Sequence, residues 1–263
     1  MPLIVIKLGG SVITYKNSRT PKPRIKVIKR LTNEILSLHK NKYQILLVHG
    51  GGSYGHNLAK KYKLTSGLIN RNSIIGLAKT LQSMSKLNSI IMAILEQAGL
   101  PAVSFSPHSF MTQTNGKLLG FETSVIEKIL ESGYIPVLYG DGVIDETLGC
   151  SIVSGDSIAT FLAKKLGAEK LIFLSDVDGI FDDNPFKNKA AKLIKHINDK
   201  NFDQVLMSIK QNNNNDITGE MQGKILSIKE NLHGKQVLIV NGFVEGNLSK
   251  GVRGQTVGTV IHF

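Results

Sequence analysis

Three short apolar runs in this chain each break into a cluster of glycines: Lys7-Leu8-Gly9-Gly10-Ser11, His49-Gly50-Gly51-Gly52-Ser53-Tyr54-Gly55-His56 and Tyr139-Gly140-Asp141-Gly142. The runs that lead into them, Leu3–Leu8, Gln44–His49 and Ile135–Tyr139, are almost continuously apolar, the mark of strands buried on both faces. Strands of that kind belong to parallel sheets covered by helices. Ligands there collect beyond the carboxyl ends of the strands, and glycine lets backbone N–H groups close on phosphate oxygens. Glycine is also the ordinary strand-to-helix turn residue, so one such loop says little. Two so close together, one beside Lys7 and the other flanked by His49 and His56, point to an anion.

The rest of the chain keeps the same rhythm. Ile25–His39 repeats apolar residues at helical spacing (Ile28, Leu31, Ile35, Leu38), and Ile74–Ala98 does so over a stretch long enough for one helix or two. Helices are also expected over Thr123–Ser132, Asp156–Leu166 and Glu220–Leu232, and strands over Ala102–Phe105, Leu171–Leu174 and Gln236–Val240. The expected fold is a three-layer α/β/α sandwich around a mainly parallel central sheet, a single domain over residues 1–263. The tract 211–216, with four consecutive Asn, has little surface to bury and is expected as a mobile loop; Thr14–Arg24, rich in Pro and basic residues, is a second loop candidate.

Composition narrows the function classes. The hydrophobic fraction of 41% is ample for a core, and no run approaches the roughly 20 apolar residues of a membrane span. Leu3–Ile6 is cut short by Lys7, too soon for a signal-peptide core of about 7–15 residues. A cytoplasmic chain is the expectation. Cys150 is alone and without a motif, so it reads as a small buried thiol. Residues 1–95 carry 16 Lys and Arg against one acidic residue, Glu34, an imbalance that suggests an anionic partner. The basic residues are dispersed among apolar ones, with no stacking aromatics and no helix-turn-helix, zinc or RNA-binding signature, so nucleic acid is not the expected partner.

Two phosphate motifs fail on inspection. Gly50-x-Gly52-x-x-Gly55 has the dinucleotide spacing, yet no acidic residue occurs between Glu34 and Glu96 to take a ribose. Gly219-Glu220-Met221-Gln222-Gly223-Lys224-Ile225 holds a Gly-Lys pair without Walker A spacing or the following Ser or Thr. Taken in order, Lys7–Ser11 through Lys16, His49–His56, Ser154-Gly155-Asp156, Leu174–Phe181 and Thr218–Lys224 resemble the amino acid kinase superfamily over nearly the whole chain. Within it, the Gly-Gly-Gly-Ser-Tyr-Gly-His string is similar to isopentenyl phosphate kinases and the related fosfomycin kinases; carboxylate kinases and uridylate kinases do not normally carry the histidine at position 56.

That resemblance implies an ATP-dependent kinase, with Mg²⁺ accompanying ATP, working as a homodimer on a small phosphate monoester. The implied reaction is isopentenyl phosphate to isopentenyl diphosphate in a mevalonate-type isoprenoid route. Another phosphate or phosphonate acceptor such as fosfomycin, or a non-catalytic nucleotide-binding protein on the same fold, is the alternative. Residues 1–165 would form the acceptor-binding and dimerisation part and 166–263 the ATP-binding part. The implied catalytic set is Lys7, Lys16, His56, Asp156 and Lys224. ATP would meet Lys7, Leu8, Gly9, Gly10, Ser11, Gly52, Asp176, Gly219 and Lys224, and the acceptor would meet Gly51, His56 and Gly155. No dedicated metal ligands stand out.

Physical chemistry supports these roles. Phosphoryl transfer through a loose transition state is mostly positioning and neutralisation of charge, which Lys7, Lys16 and Lys224 could supply. Lys224, after Gly223, is expected to begin a helix, and Lys16 lies in the loop segment. Asp156 could orient lysines or simply cap the helix after it. Asp178-Gly179 could contact nucleotide or only make a tight turn. A phosphate acceptor arrives ionised and needs donors rather than a general base, and no carboxylate stands out near the second glycine loop. His39 and His108 have no such context. An alkyl tail would lie against apolar residues of Ile74–Ala98.

Overall fold

The computed structural model describes the chain except Asn17, Arg19, Phe186 and residues 212–216, and the side chains of residues 210–220 also lie outside it. In chain order the strands are β1 (Leu3–Leu8), β2 (Gln44–His49), β3 (Ala102–Ser104), β4 (Thr112–Gln113), β5 (Ile135–Tyr139), β6 (Asp141–Asp145), β7 (Gly149–Val153), β8 (Lys170–Ser175), β9 (Ile180–Phe181), β10 (Leu193–Ile194), β11 (His196–Ile197), β12 (Gln236–Asn241) and β13 (Thr259–Ile261). The α-helices are α1 (Gly10–Ile13), α2 (Ile25–Lys40), α3 (His56–Lys61), α4 (Arg71–Gln97), α5 (Ser124–Glu131), α6 (Gly155–Lys165), α7 (Phe202–Gln211), α8 (Ile217–Asn231) and α9 (Asn247–Val252).

The main sheet runs β11-β13-β12-β8-β1-β2-β5-β3. Its pairings are parallel except for β12 against β13. Side-chain alternation splits each strand between two cores. Ile4, Ile6, Ile45, Leu47 and Ile172 face α2, α4 and α9 through residues such as Ile28, Leu31, Met84, Ile91 and Leu248. Val5, Val48, Phe173 and Ile239 face the other layer, where Ile126, Ile158, Leu162, Val205 and Ile225 project from α5 to α8. Each such side chain removed from water contributes about 1.5–3 kcal/mol, which is why these runs are apolar until Lys7 and His49 near their carboxyl ends. The expected three layers and mainly parallel sheet are what the chain forms.

Several boundaries differ from those expected. The long periodic stretch is one helix, α4, whose start is fixed by Asn70 accepting from the Ser73 N–H at 3.1 Å. The hairpin β6–β7, absent from the sequence reading, is organised by Asp145: its carboxylate accepts from the N–H groups of Asn115, Gly116, Thr147 and Leu148 and from the Ser151 hydroxyl. Thr14–Arg24 is closed at its base, where Thr14 bridges Pro23 in antiparallel fashion. The Asn tract 212–216 lies outside the described residues. What matters for function is the sheet order. It sets β8, β1, β2 and β5 side by side, so four carboxyl ends and the loops after them share one rim.

Candidate active site

The rim is built from backbone packed against backbone. A Cβ on Gly10 would run into the Gly52 main chain, and one on Gly50 would lie 2.8 Å from the Gly10 nitrogen. Gly52 also has φ +48°, a left-handed conformation that side chains resist. The first and second glycine loops are therefore interlocked. On the far side, a Cβ on Gly140 would lie 2.8 Å from the nitrogen of Gly155. Gly155 opens α6, an eleven-residue helix whose N-terminal N–H groups face this rim.

Lys7 stands next to the last residue of β1, in register with Val48 on one side and Phe173 on the other, so its side chain emerges on the α6 and α8 face. There Asp156, in the first turn of α6, takes the Lys7 ammonium at 2.7 Å on Oδ1 and the Lys224 ammonium at 3.3 Å on Oδ2. Lys224 reaches in from α8 with its ammonium 4.9 Å from the Phe173 ring centroid. The two lysine side chains are only 12% and 11% exposed. Burial works against an ionised Asp156, but Lys224 and Lys7 outweigh it and hold the carboxyl well below the usual range. One carboxylate between two ammonium groups leaves a positive charge in excess, in a poorly hydrated place, beside a helix N-terminus. Such a place is suited to a multiply charged anion.

Two sequence expectations need correction here. Lys224 does not begin a helix; it lies inside α8, a turn and more past Ile217. Asp156 is not the N-cap of α6, because Ser154 holds that position and accepts from the Ser157 N–H at 3.0 Å. Asp156 is left to the lysines.

The remaining candidates are distributed as follows. Leu8 is the buried last residue of β1, Gly9 donates to the Leu174 carbonyl at 3.0 Å, and Gly10 and Ser11 start α1. Gly219 falls in the first turn of α8. Lys16 is exposed, outside the Lys7–Asp156–Lys224 cluster. His56 is the exposed first residue of α3, directly after Gly55. Gly51 and Gly55 rest on the buried Met84 of α4, whose sulfur would be 3.0 and 3.1 Å from a Cβ at either position. Leu77 and Leu81 of the same helix approach Gly142, so α4 does offer an apolar wall beside the second and third glycine clusters. Asp176 is half-buried at the end of β8, while Asp178 accepts from the Asn241 amide at 2.9 Å and Gly179 packs on Thr259.

Sequence reasoning missed a buried polar layer beneath this rim. His49 is inaccessible; its Nδ1 lies 3.2 Å from the Gly50 carbonyl, its Nε2 3.3 Å from Asn88 Oδ1, and its ring stacks on Tyr139 at 5.1 Å. Burial lowers its pKa to about 4, so the ring is neutral at physiological pH. His108, for which the sequence offered no context, pairs its Nδ1 with Asp141 Oδ2 at 2.7 Å. Asp141 also accepts from the Gly142 N–H at 2.9 Å, yet burial raises its pKa to about 6. The Tyr139–Gly142 cluster hinted at Asp141, but nothing in the spacing announces a partner so far back in the chain.

Among the described residues no group of three or more His, Cys, Asp and Glu side chains could hold a metal ion, and no helix is long and apolar enough to cross a membrane. Comparison with known proteins agrees with the rim chemistry. Residues 2–244 match the model of the amino acid kinase family. The isopentenyl phosphate kinase of Methanocaldococcus jannaschii is 36% identical over 270 residues, covering 99% of both chains. That of Methanothermobacter thermautotrophicus is 35% identical over 264 residues, covering 97% of both. An X-ray structure of isopentenyl phosphate kinase superposes with a TM-score of 0.83 at 32% identity, over 98% of this chain and 99% of its own. With the interlocked glycine loops, the paired lysines and the match over nearly its full length, the chain belongs to the amino acid kinase family.

Proposed function

We propose that this kinase transfers the γ-phosphoryl group of ATP to isopentenyl phosphate, giving isopentenyl diphosphate and ADP within a mevalonate-type isoprenoid route. The observation that carries the reading is the Lys7–Asp156–Lys224 cluster set against two interlocked glycine loops. Lys7 and Lys224 would neutralise the charge that spreads over the transferring group, and Asp156 would keep both ammonium groups charged and aimed. Lys16 would add a third cation from its loop. Gly9, Gly10, Ser11 and Gly52 would offer N–H groups to ATP, with Asp176 and Gly219 on the nucleotide side. Gly51, His56 and Gly155 would hold the acceptor phosphate, whose ionised oxygen needs no general base. The relatives named isopentenyl phosphate kinase point to the same acceptor.

Mg²⁺ would accompany ATP and offset phosphate charge. Both oxygens of Asp156 are engaged by lysines, so the ion would be held by phosphate oxygens and water. Residues 1–165 would carry the acceptor and the dimer contacts and 166–263 the nucleotide, in a cytoplasmic homodimer. Sedimentation analysis tests the dimer. The reaction is tested by ADP release with Mg-ATP across isopentenyl phosphate, dimethylallyl phosphate, fosfomycin, UMP and acetylglutamate. Isopentenyl phosphate should give the highest kcat/KM; a preference for the carboxylate acceptor would sink the reading.

A further inference from the structure

Lys16 stands apart from the other two proposed cations, on a loop that is gripped at its base. The Tyr15 N–H donates to the Lys22 carbonyl at 3.0 Å and the Arg24 N–H to the Ile13 carbonyl at 2.7 Å. Thr14 is fully buried; its hydroxyl donates to the Gly10 carbonyl at 2.8 Å and accepts from the Ser53 N–H at 3.0 Å. The Ser53 hydroxyl in turn accepts from the Lys22 N–H at 3.3 Å. Both glycine loops thus hold one side of the Lys16 loop.

Arg24 holds the other side. Its Nε donates to the Thr14 carbonyl at 3.1 Å, and its guanidinium carbon lies 4.0 Å from the Tyr15 ring centroid and 5.2 Å from that of Phe243. Phe243 belongs to the segment after β12, which is itself fixed. Its N–H donates to the Asn241 side chain at 2.8 Å, and the Asn241 amide reaches Asp178. Arg30 donates to the Gly242 carbonyl, while Glu34 accepts from Arg30 and from the N–H groups of Gly246 and Ser249. A planar guanidinium can lay its face on a ring while donating to a carbonyl in its own plane; an ammonium keeps the charge but has no flat face, so it would hold the rings in a different geometry.

We propose that Arg24 is a positioning residue for Lys16: its stack between Tyr15 and Phe243 ties the lysine's loop to residues 241–246 on the nucleotide side, so that the two are set together. Nucleotide held near Asp176 and Asn241 then governs where Lys16 points without touching it. This rests on the reading of Lys16 as a cation for the transferring phosphoryl group.

The test is steady-state kinetics and thermal melts on Lys16→Ala, Arg24→Lys, Phe243→Ala and the double variant Lys16→Ala/Arg24→Lys. Arg24→Lys and Phe243→Ala should each lower kcat by roughly five- to tenfold with KM for isopentenyl phosphate within about twofold, and with Tm near the parent value. The double variant should be no slower than Lys16→Ala alone, because the tie acts only through Lys16. Parent-like kcat in Arg24→Lys and Phe243→Ala, while Lys16→Ala is slow, overturns the tie and spares the reading of Lys16. So does a double variant in which the two losses multiply, as a general structural role would give. Parent-like kcat in Lys16→Ala overturns the reading of Lys16 itself, and the tie with it.

Discussion

His56 and the two lysines of the cluster make contrasting demands on a substitution experiment. His56 is exposed at the start of a short helix, so its loss should cost the fold little. A hydrogen bond to a charged group is worth about 1.5–3 kcal/mol, and tenfold in rate corresponds to about 1.36 kcal/mol. His56→Ala should therefore lower kcat/KM for isopentenyl phosphate by roughly ten- to several-hundred-fold, with ATP affinity and Tm close to the parent values. His56→Gln, a neutral donor of similar reach, should recover part of that loss. A parent-like rate for His56→Ala removes the histidine from the acceptor site. Lys7 and Lys224, by contrast, share one carboxylate, and removing either changes the field at the other. Lys7→Ala and Lys224→Ala should lower kcat far more than they weaken ATP binding if, as proposed, their contacts strengthen as the γ-phosphoryl group departs. Single-turnover rates with ATP affinity measured separately decide this, and an unchanged kcat in either variant excludes that lysine.

At the level of elements, the buried groups at the end of β2 and the start of β6 pull pH dependence in opposite directions. His49 titrates near 4 in the fold and about 6.5 unfolded, so between those values only the unfolded chain takes up the proton. Stability from that group is complete above about 6.5 and falls as pH drops through the window. Asp141 titrates near 6 in the fold and about 3.9 unfolded, so here the folded chain takes up the proton first and stability rises as pH drops. Each slope approaches about 1.4 kcal/mol per pH unit, and in the parent they largely cancel. Asp141→Asn should expose the His49 slope: urea midpoints that change little between about pH 4.5 and 6 in the parent should drop toward acid in the variant. Equal pH profiles for both proteins would refute the opposition. This polar layer was also the least legible part of the sequence. Leu3–Leu8 and Gln44–His49 could be read because burial on both faces leaves a nearly continuous apolar run. The hairpin β6–β7 could not, because its strands are short and its register hangs on the hydrogen bonds of Asp145. The glycine loops and Lys7 were readable as an anion site because backbone crowding and charge select residue types locally, while Asp156 entered only through the family resemblance. That His108 meets Asp141 is settled by packing between distant segments, whereas the Ser154 cap of α6 is a local bond to Ser157, a choice between two neighbouring polar residues that residue type does not make.

Across the whole molecule the charge is lopsided, and the fold turns that asymmetry into a spatial one. Of the 16 basic residues among the first 95, nine lie on α2, α3 and α4, with Lys26, Lys29, Lys60, Lys61 and Arg71 exposed. Lys60 and Lys61 close the same short helix that His56 opens. Glu34, the one acid in that half, is spent on Arg30 and on the backbone at the start of α9. If the acceptor binds at the second glycine loop as proposed, it approaches past mostly positive charge on this side. Exposed charges act over a Debye length of about 10 Å at 0.1 M salt and about 3 Å at 1 M, whereas the nearly enclosed Lys7–Asp156–Lys224 cluster is screened much less. Raising KCl from about 0.02 to about 0.5 M should consequently lower kcat/KM for isopentenyl phosphate several-fold and leave kcat nearly unchanged. Replacing Lys60 and Lys61 by Ser should flatten the salt dependence of kcat/KM without altering kcat at saturating substrate. The same field would attract duplex DNA, but only through phosphates, so that binding should be weak, indifferent to sequence and lost as salt rises. A kcat/KM independent of salt would show that the basic half does not steer the acceptor. Tight, sequence-selective DNA binding at about 0.15 M salt would show instead that its charge serves a different partner.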